Sequence, residues 1–417
     1  MEILSTGQKI KRARIYKGIT LKELCKEKIS ISKMSCIENG KVKADEETIK
    51  YIADIIQVDY DYLIQDIYEQ IYNNLQTIKK EKPVGRELED NININLGYAI
   101  EYEYNDLALE LIHILFTYYL ENDEDKKCND IISKYYSIYE KSNNNNATIT
   151  YYRDMSKFLI KKEEYFEAIV YYSRLRELNI LDGVDIQIRN DIILEEAKCY
   201  INIEEYEKGY QLLKGIIDGE KDSSYDYSNI YEYYAVVSII LGYNETEEYM
   251  AQYYDSVKNN SKEISYGKEK FGEAYFKISN DEKALNELNE AVKLFPKDNL
   301  QESVEFNNTC IELLFNNGKY NEAFELVEKN LNDAISCNNI RLIEKSYYLK
   351  GMILNKMGKI SEAEMYLNLS LDSLYKFGSK KERCERYLDM AYLYYKLQNY
   401  KDAIKYFNLS IEIEKAL

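Results

Sequence analysis

Proline is nearly missing from this chain, with 2 in 417 residues, beside 16 Gly and no Trp. A sequence that avoids helix breakers over such a length, and in which Leu, Ile, Glu, Lys and Tyr dominate, reads as all-α. Its length exceeds one ordinary small domain and implies two or more units or an elongated repeat array. The seven Cys (Cys25, Cys36, Cys128, Cys199, Cys310, Cys337, Cys384) form no C-x-x-C pair. That spacing argues against a zinc site or a disulfide frame and fits reduced thiols in a cytoplasm. There is a single His, His113, with no sequence constellation around it, no Gly-rich phosphate loop and no metal-ligand cluster. An enzyme is therefore the least supported class, no cofactor or metal is expected, and His113 reads as a satisfied or exposed helical residue. The beginning "MEILSTGQKIK" lacks an apolar signal core, and the longest apolar run, Ala235 to Leu241 with Ser238 inside, is too short to cross a bilayer. A soluble, cytoplasmic protein with no membrane partner is expected. The 44 Tyr fit the codon bias of an AT-rich genome, as do the many Asn, Ile and Lys, and carry no functional weight.

What is present is unevenly placed. Residues 1–43 hold eleven Lys/Arg against four acids, a net of +7, which leaves −25 of the chain's −18 total to the remainder. A basic head on an acidic body suggests that only the head meets a polyanion. Within it, Ser5 with Gln8 and Thr20 with Glu23 form capping boxes, Gly18 and Gly40 stand where helices end, and Asp45 precedes two further acids at a helix start. These signals predict helices at about 6–16, 20–27, 31–38, 45–56 and from 60 onward. The apolar positions Ile10, Leu21, Leu24, Met34, Ile37, Ile49, Ile52, Ile56 and Leu63 recur at helical spacing and would close a small core.

The stretches "KIKRAR", "GITLKEL", "SISKMSCIENGK" and "YIADIIQVDYDYL" make residues 5–66 resemble the Cro/C1-type helix-turn-helix repressor domain. The resemblance implies that Glu38 pairs with Arg14 to brace the recognition helix. It also implies that Ile31, Ser32 and Cys36 face base edges of double-stranded DNA, with Lys33 and Ser35 at the flanks and Asn39 and Lys41 near phosphate. Leu21 departs from the family, which places a phosphate-binding Gln there, and the interval from Leu24 to Gly40 is one residue short of the commonest form.

The acidic remainder repeats itself. "NNGKYNEAFELVEKNL", "KMGKISEAEMYLNLSL" and "KLQNYKDAIKYFNLSI" place Ala323, Ala363 and Ala403 at equal intervals, and the same template leads back through Ala284, Glu247, Gly209 and Ala168 to a weaker unit near Cys128. Small residues followed by aromatics, as in Tyr387, Met390, Ala391, Tyr394 and then Ala403, Phe407 and Ser410, resemble the tetratricopeptide repeat. The likeness covers residues 100–417, and intervals above the family's ~34 residues imply longer helices. It implies a right-handed superhelix whose groove, lined by the first helix of each pair, binds peptides. Its groove positions fall on Arg153, Lys157, Lys198 and Asn202, then on Asn308, Glu312, Asn316, Tyr348, Met352, Asn355, Tyr392 and Tyr395. Asn there suits capture of an extended backbone, since it both donates and accepts.

Between the halves, "DIYEQIYNNLQTIKKEKPVGRELED" holds Pro83 beside Val84 and Gly85 and reads as a linker helix followed by a hinge. The division is then 1–66 for the DNA-binding head, 67–90 for the linker, and 91–417 for a peptide-binding and dimerisation body. This order of parts resembles the Gram-positive quorum-sensing regulators of the Rap, Rgg, NprR, PlcR and PrgX family. The short interval before "IENG" resembles its PlcR-like branch, and the sequence as a whole looks like a clostridial member close to the regulator that links sporulation to toxin expression. What the resemblance implies is a homodimeric transcription regulator switched by a short signalling peptide. The alternative is a protein-interaction regulator that sequesters or modulates a sporulation response regulator through its repeats.

Overall fold

The computed structural model describes residues 3–142, 144–178, 180–181 and 183–415. Among them every regular element is helical, 23 α-helices with no strand. They fall into two compact units, Met1–Ile203 and Glu204–Leu417. No helix among the described residues is long and apolar enough to cross a membrane.

The first unit begins with α1 (Thr6–Tyr16), α2 (Leu21–Cys25), α3 (Ile31–Glu38), α4 (Glu46–Ile56) and α5 (Tyr60–Ile64). Both expected capping boxes are present, at Ser5 with Gln8 and at Thr20 with Glu23, and Asp45 caps α4 by accepting from the Thr48 amide. Each satisfies amides that the first helical turn leaves without an intrahelical partner. Ile10, Leu24, Met34, Ile37, Ile49, Ile52, Ile56 and Leu63 close the core of this head, and Leu21 packs against it half-buried. Helix α2 stops at Cys25, short of the expected 27, where Lys26 turns to a left-handed φ of 43°. The helix expected from 60 onward ends at Ile64, and a new one starts behind the Asp66 cap.

That new helix, α6 (Ile67–Glu81), precedes α7 (Gly85–Glu101), α8 (Asn105–Glu121), α9 (Asp125–Ser142), α10 (Asn145–Lys161), α11 (Tyr165–Glu177) and α12 (Ile186–Asn202). The break at 82–84 is where the sequence places a hinge. Yet α6 is not a bare connector: Ile71, Leu75 and Ile78 are buried in the core that also holds Leu88, Ile92 and Leu96 of α7. Its apolar residues recur every three to four positions, and such a stripe packs when a neighbouring helix offers a matching face.

The second unit comprises α13 (Tyr206–Ile217), α14 (Ser228–Leu241), α15 (Thr246–Ser256), α16 (Ser261–Lys277), α17 (Asp281–Leu294), α18 (Leu300–Asn316), α19 (Tyr320–Ser336), α20 (Ile340–Lys356), α21 (Ile360–Leu374), α22 (Lys380–Lys396) and α23 (Tyr400–Glu414). From α16 onward these are helical hairpins whose first helix is 17 residues long, longer by about a turn as the repeat interval requires. The small residue that sets the interval lies in the first turn of each second helix, and Ala284, Ala323 and Ala363 are fully buried there. Close approach is its purpose: a Cβ on Gly351 of α20 would stand 2.7 Å from Leu367 Cγ of α21.

One register differs from the sequence reading. Glu247 does not occupy the small-residue position; it is exposed and pairs with Lys283 at 3.1 Å. Helix α14 ends early at the left-handed Gly242, and four residues rather than three lead to α15, so Met250 turns inward instead.

Candidate functional site

Two places bring the sequence-predicted functional residues together. The first is α3. Its inward side is Met34, Ile37 and Glu38, all buried, while Ile31 is 51% exposed and Ser32 and Lys33 lie open beside it. Ser35 and Cys36 are half-buried at the edge. Ser30 caps the helix by accepting from the Lys33 amide. At the other end Gly40, at φ 70°, donates to the Ile37 carbonyl, and Lys41 donates to that of Cys36. This left-handed cap fixes where Asn39 and Lys41 leave the helix, and both are exposed.

The orientation of α3 is held by a charged contact. Arg14 Nε donates to Glu38 Oε1 at 2.6 Å and Nη2 to Oε2 at 3.0 Å, while Nη1 donates to the Ile19 carbonyl at 3.0 Å. One guanidinium thus spans α1, α3 and the turn before α2. The paired carboxylate holds the Arg14 guanidinium above its usual range. A second device is Gly7 of α1, at which any Cβ would lie 2.1 Å from the Ile37 carbonyl oxygen.

Not all the basic residues reach the surface. Lys9 is 1% exposed and donates to the Tyr62 and Gln65 carbonyls at 2.7 and 2.9 Å, over the Tyr62 ring. Burial lowers its pKa. Lys11, Lys17, Lys22, Lys26, Lys28, Lys33, Lys41 and Lys43 are exposed, so the head keeps most of its positive charge at the surface. Asn39 donates to the Ser35 carbonyl and accepts from Lys11, and Lys33 pairs loosely with Asp45 at 3.4 Å.

The second place lies in the first unit, between α8, α10 and the start of α12. A cleft of about 430 Å³ there is lined by His113, Asn146, Ile149, Thr150, Arg153, Asp154, Lys157, Val184 and Ile188. Arg153 and Lys157 are the sequence-predicted groove residues gathered there. His113, expected to be a satisfied or exposed helical residue, is both, and Asp154 is the partner that the sequence reading passed over. His113 Nδ1 meets Asp154 Oδ2 at 2.6 Å, and Tyr135 of α9 donates to the same oxygen at 2.7 Å. Burial and the adjacent Asp154 push the Tyr135 phenol far above its usual range, so it serves as a donor. The only sequence signal for this contact is spacing, since His113 and Asp154 stand 41 residues apart, about one repeat.

Of the remaining groove residues, Tyr392 and Tyr395 share a hollow and the others scatter. Lys198 pairs with Glu195 of its own helix at 2.7 Å, and exposed Asn202 donates back to the Lys198 carbonyl. Asn308 is 4% exposed, and its Oδ1 accepts from Asn330 at 2.8 Å and from Ser346 at 3.3 Å. It serves as a polar joint between α18, α19 and α20. Glu312 pairs with Lys345, and Asn316 is exposed. Tyr348 is half-buried, donates to Asp389 at 2.9 Å and carries the Arg386 guanidinium 3.3 Å above its ring. Met352 is half-buried, and Asn355 accepts from Lys396 at 3.2 Å. Tyr392, 67% exposed, joins Tyr395, Tyr400, Ile404 and Phe407 around an apolar hollow on α22 and α23. No group of His, Cys, Asp and Glu among the described residues could hold a metal ion.

Residues 344–373 and 385–417 match the tetratricopeptide repeat family; these are the last two hairpins of the second unit. No curated protein matches the chain. Among solved structures it is similar to a Rap protein complexed with competence and sporulation factor, at 15% identity over 84% of this chain and 98% of that one, with a TM-score of 0.44. It is also similar to the apo quorum sensor NprR of B. thuringiensis, at 13% identity over 84% and 100%, with a TM-score of 0.45. A third is Bacillus thuringiensis PlcR in complex with the peptide PapR7 and DNA, at 14% identity over 89% and 97%, with a TM-score of 0.27.

Proposed function

We propose that this chain is a peptide-responsive transcription regulator of the quorum-sensing kind: residues 1–66 read operator DNA, 67–90 connect, and 91–417 sense a short peptide and bring two copies together. The observation that carries this reading is α3. It presents Ile31, Ser32 and Lys33 outward from a core-anchored, Arg14-braced helix in the one strongly basic part of an acidic chain. A helix of that size fits the major groove, and cations around it suit phosphate. One such head contacts too little DNA for tight and specific binding, which is the reason for a homodimer reading a two-fold site. The peptide acts by binding one arrangement of the dimer better than the other. Sporulation and toxin-type genes are the expected targets.

The test is a gel shift with the chain's own upstream DNA at several salt concentrations. Wild type is expected to bind with steep salt dependence, and Lys33→Glu with Lys41→Glu is expected to weaken binding at least tenfold by removing phosphate contacts. Equal binding by the double variant would sink the assignment of α3.

A further inference from the structure

Helix α11 turns Ala168, Ile169, Tyr172 and Leu175 inward, all buried. Its outward face is the unusual one, with Phe166 67% exposed and Val170 52%. The repeat interval shows what that face carries elsewhere. Counted from the buried small residue, the places of Phe166 and Val170 fall on Glu207 and Gln211 in α13 and on Glu282 and Asn286 in α17. In α19 they fall on Asn321 and Glu325, and in α23 on Lys401 and Lys405; all eight are polar and exposed. Helix α21 is mixed, with Met365 beside Ser361. An outward helix position is ordinarily polar, so two large apolar side chains on successive turns of α11 mark a face that something covers. Charge is arranged around them with a direction. Glu167, in the first turn, and Arg174, two turns on, are both exposed and lie on the same side of the helix as Val170. The neighbouring Arg176 holds Glu196 at 2.7 Å, whereas the Arg174 guanidinium has no ion-pair partner among the described residues.

We infer that the outward face of α11 is a contact between two copies of this chain, the two helices lying antiparallel across a two-fold axis at Val170. In that arrangement Val170 packs on its own counterpart, and Arg174 of each copy reaches Phe166 and Glu167 of the other. A guanidinium suits both neighbours, since it stacks on an aromatic face and pairs with a carboxylate. A helix that is acidic toward one end, basic toward the other and apolar between complements a reversed copy of itself, which is the geometry a two-fold contact supplies. A parallel copy would set Glu167 on Glu167 and Arg174 on Arg174, which like-charge repulsion disfavours. The seam is short: one helix pair covers less than the ~800 Å² per partner of a standard interface, so the copies should exchange with monomer at roughly micromolar concentration. Weak pairing of that kind leaves the two halves of a DNA site to complete the dimer. This inference rests on the homodimer reading above and names the surface for it.

The experiment is sedimentation velocity of the full-length protein across a range of concentrations. Wild type is expected to pass from monomer to dimer as concentration rises. Phe166→Glu, at an exposed position that the monomer fold does not need, should weaken the dimer by about tenfold or more by setting a charge in the apolar centre. Charge reversal is the sharper arm. Arg174→Glu alone and Glu167→Arg alone should each stay monomeric, because each seam is then of one sign. Mixed in equal amounts, the two variants should recover a dimer, since acid again faces base on both sides of the axis. A mixture that stays monomeric would overturn the antiparallel contact. A dimer that survives Phe166→Glu would overturn the α11 surface and leave the homodimer reading standing, as would a dimer lost on Phe407→Glu in the α22–α23 hollow but kept on Phe166→Glu. A wild type that is monomeric both alone and on its own upstream DNA would end the homodimer reading and this inference with it.

Discussion

Arg14 and Glu38, 24 residues apart, meet in a two-pronged contact in which the carboxylate is 3% exposed and the guanidinium 13%. Such a pair matters most when one member is removed, because the survivor is then a buried charge without a partner. Arg14→Ala is therefore expected to destabilise the head by about 3–5 kcal/mol. Arg14→Lys should fall between, since an ammonium keeps the charge but not the fork. Urea unfolding followed by amide exchange of α1 to α3 reads both. A loss near that of an exposed ion pair, below ~1 kcal/mol, would show that the contact is not what holds α3.

Two glycines of one unit should respond to alanine with opposite signs. Gly7→Ala drives a methyl to 2.1 Å from the Ile37 carbonyl; since backbone has to move, a loss of about 1–3 kcal/mol or more is expected. Gly97, exposed within α7, has nothing within 4 Å of its would-be Cβ. Gly97→Ala should gain roughly 0.5–1 kcal/mol from helix propensity alone. Thermal melts of the two variants decide the matter, and equal signs would contradict the α1–α3 packing.

Asn308→Ala tests stability rather than ligand binding. It would leave the Asn330 amide, buried and now donating to Asn308 at 2.8 Å, short of an acceptor, at a cost of about 1–3 kcal/mol. Peptide affinity at a temperature where the variant is folded should not change. Lost affinity in a fully folded variant would restore Asn308 to the groove.

Glu269 on α16 gives the second unit a pH dependence. Burial first, then the nearby Glu273, raise its carboxyl from 4.5 to about 7, with Glu232 adding and Lys270 opposing. A carboxyl raised by folding contributes stability that is complete below about 4.5 and is lost as the pH climbs through about 7. Glu269→Gln should therefore stabilise the protein at pH 8 by about 2 kcal/mol and change little at pH 4. Melting curves across that range provide the check; a uniform shift at all pH values would mean the side chain does not titrate with folding.

Local chemistry made the head legible. Ser5, Thr20 and Asp45 cap helices through residues three positions away, so a short window of sequence contains the whole device. The brace between Arg14 and Glu38 came through family likeness, because nothing local links residues on separate helices. The repeat interval was readable from its buried alanines and failed at Glu247, where one extra turn residue shifted the phase. Groove residues were the hardest. A helix rotated by one position turns an open residue inward, and Asn308 is buried against Asn330 and Ser346. Lys9 shows the same limit, since a lysine that holds carbonyls inside the fold looks like any other in a basic stretch. His113 and Asp154 meet only when two repeats stack.

The start of the chain is tied to α6. Ile3 is buried in the core shared by α6, α7 and α8, and Gln70 holds Leu4 by both its amide and its carbonyl, at 3.1 and 2.9 Å. At its other end the head reaches α6 through Gln65, whose carbonyl receives both Lys9 and Gln70. The head therefore hangs like a door on two hinges mounted on one post. A displacement of α6 would pull on the head at both of its ends, at Leu4 and at Gln65. Gln70→Ala would undo one of the two attachments and is expected to loosen the head against α6 before it unfolds the head's own core.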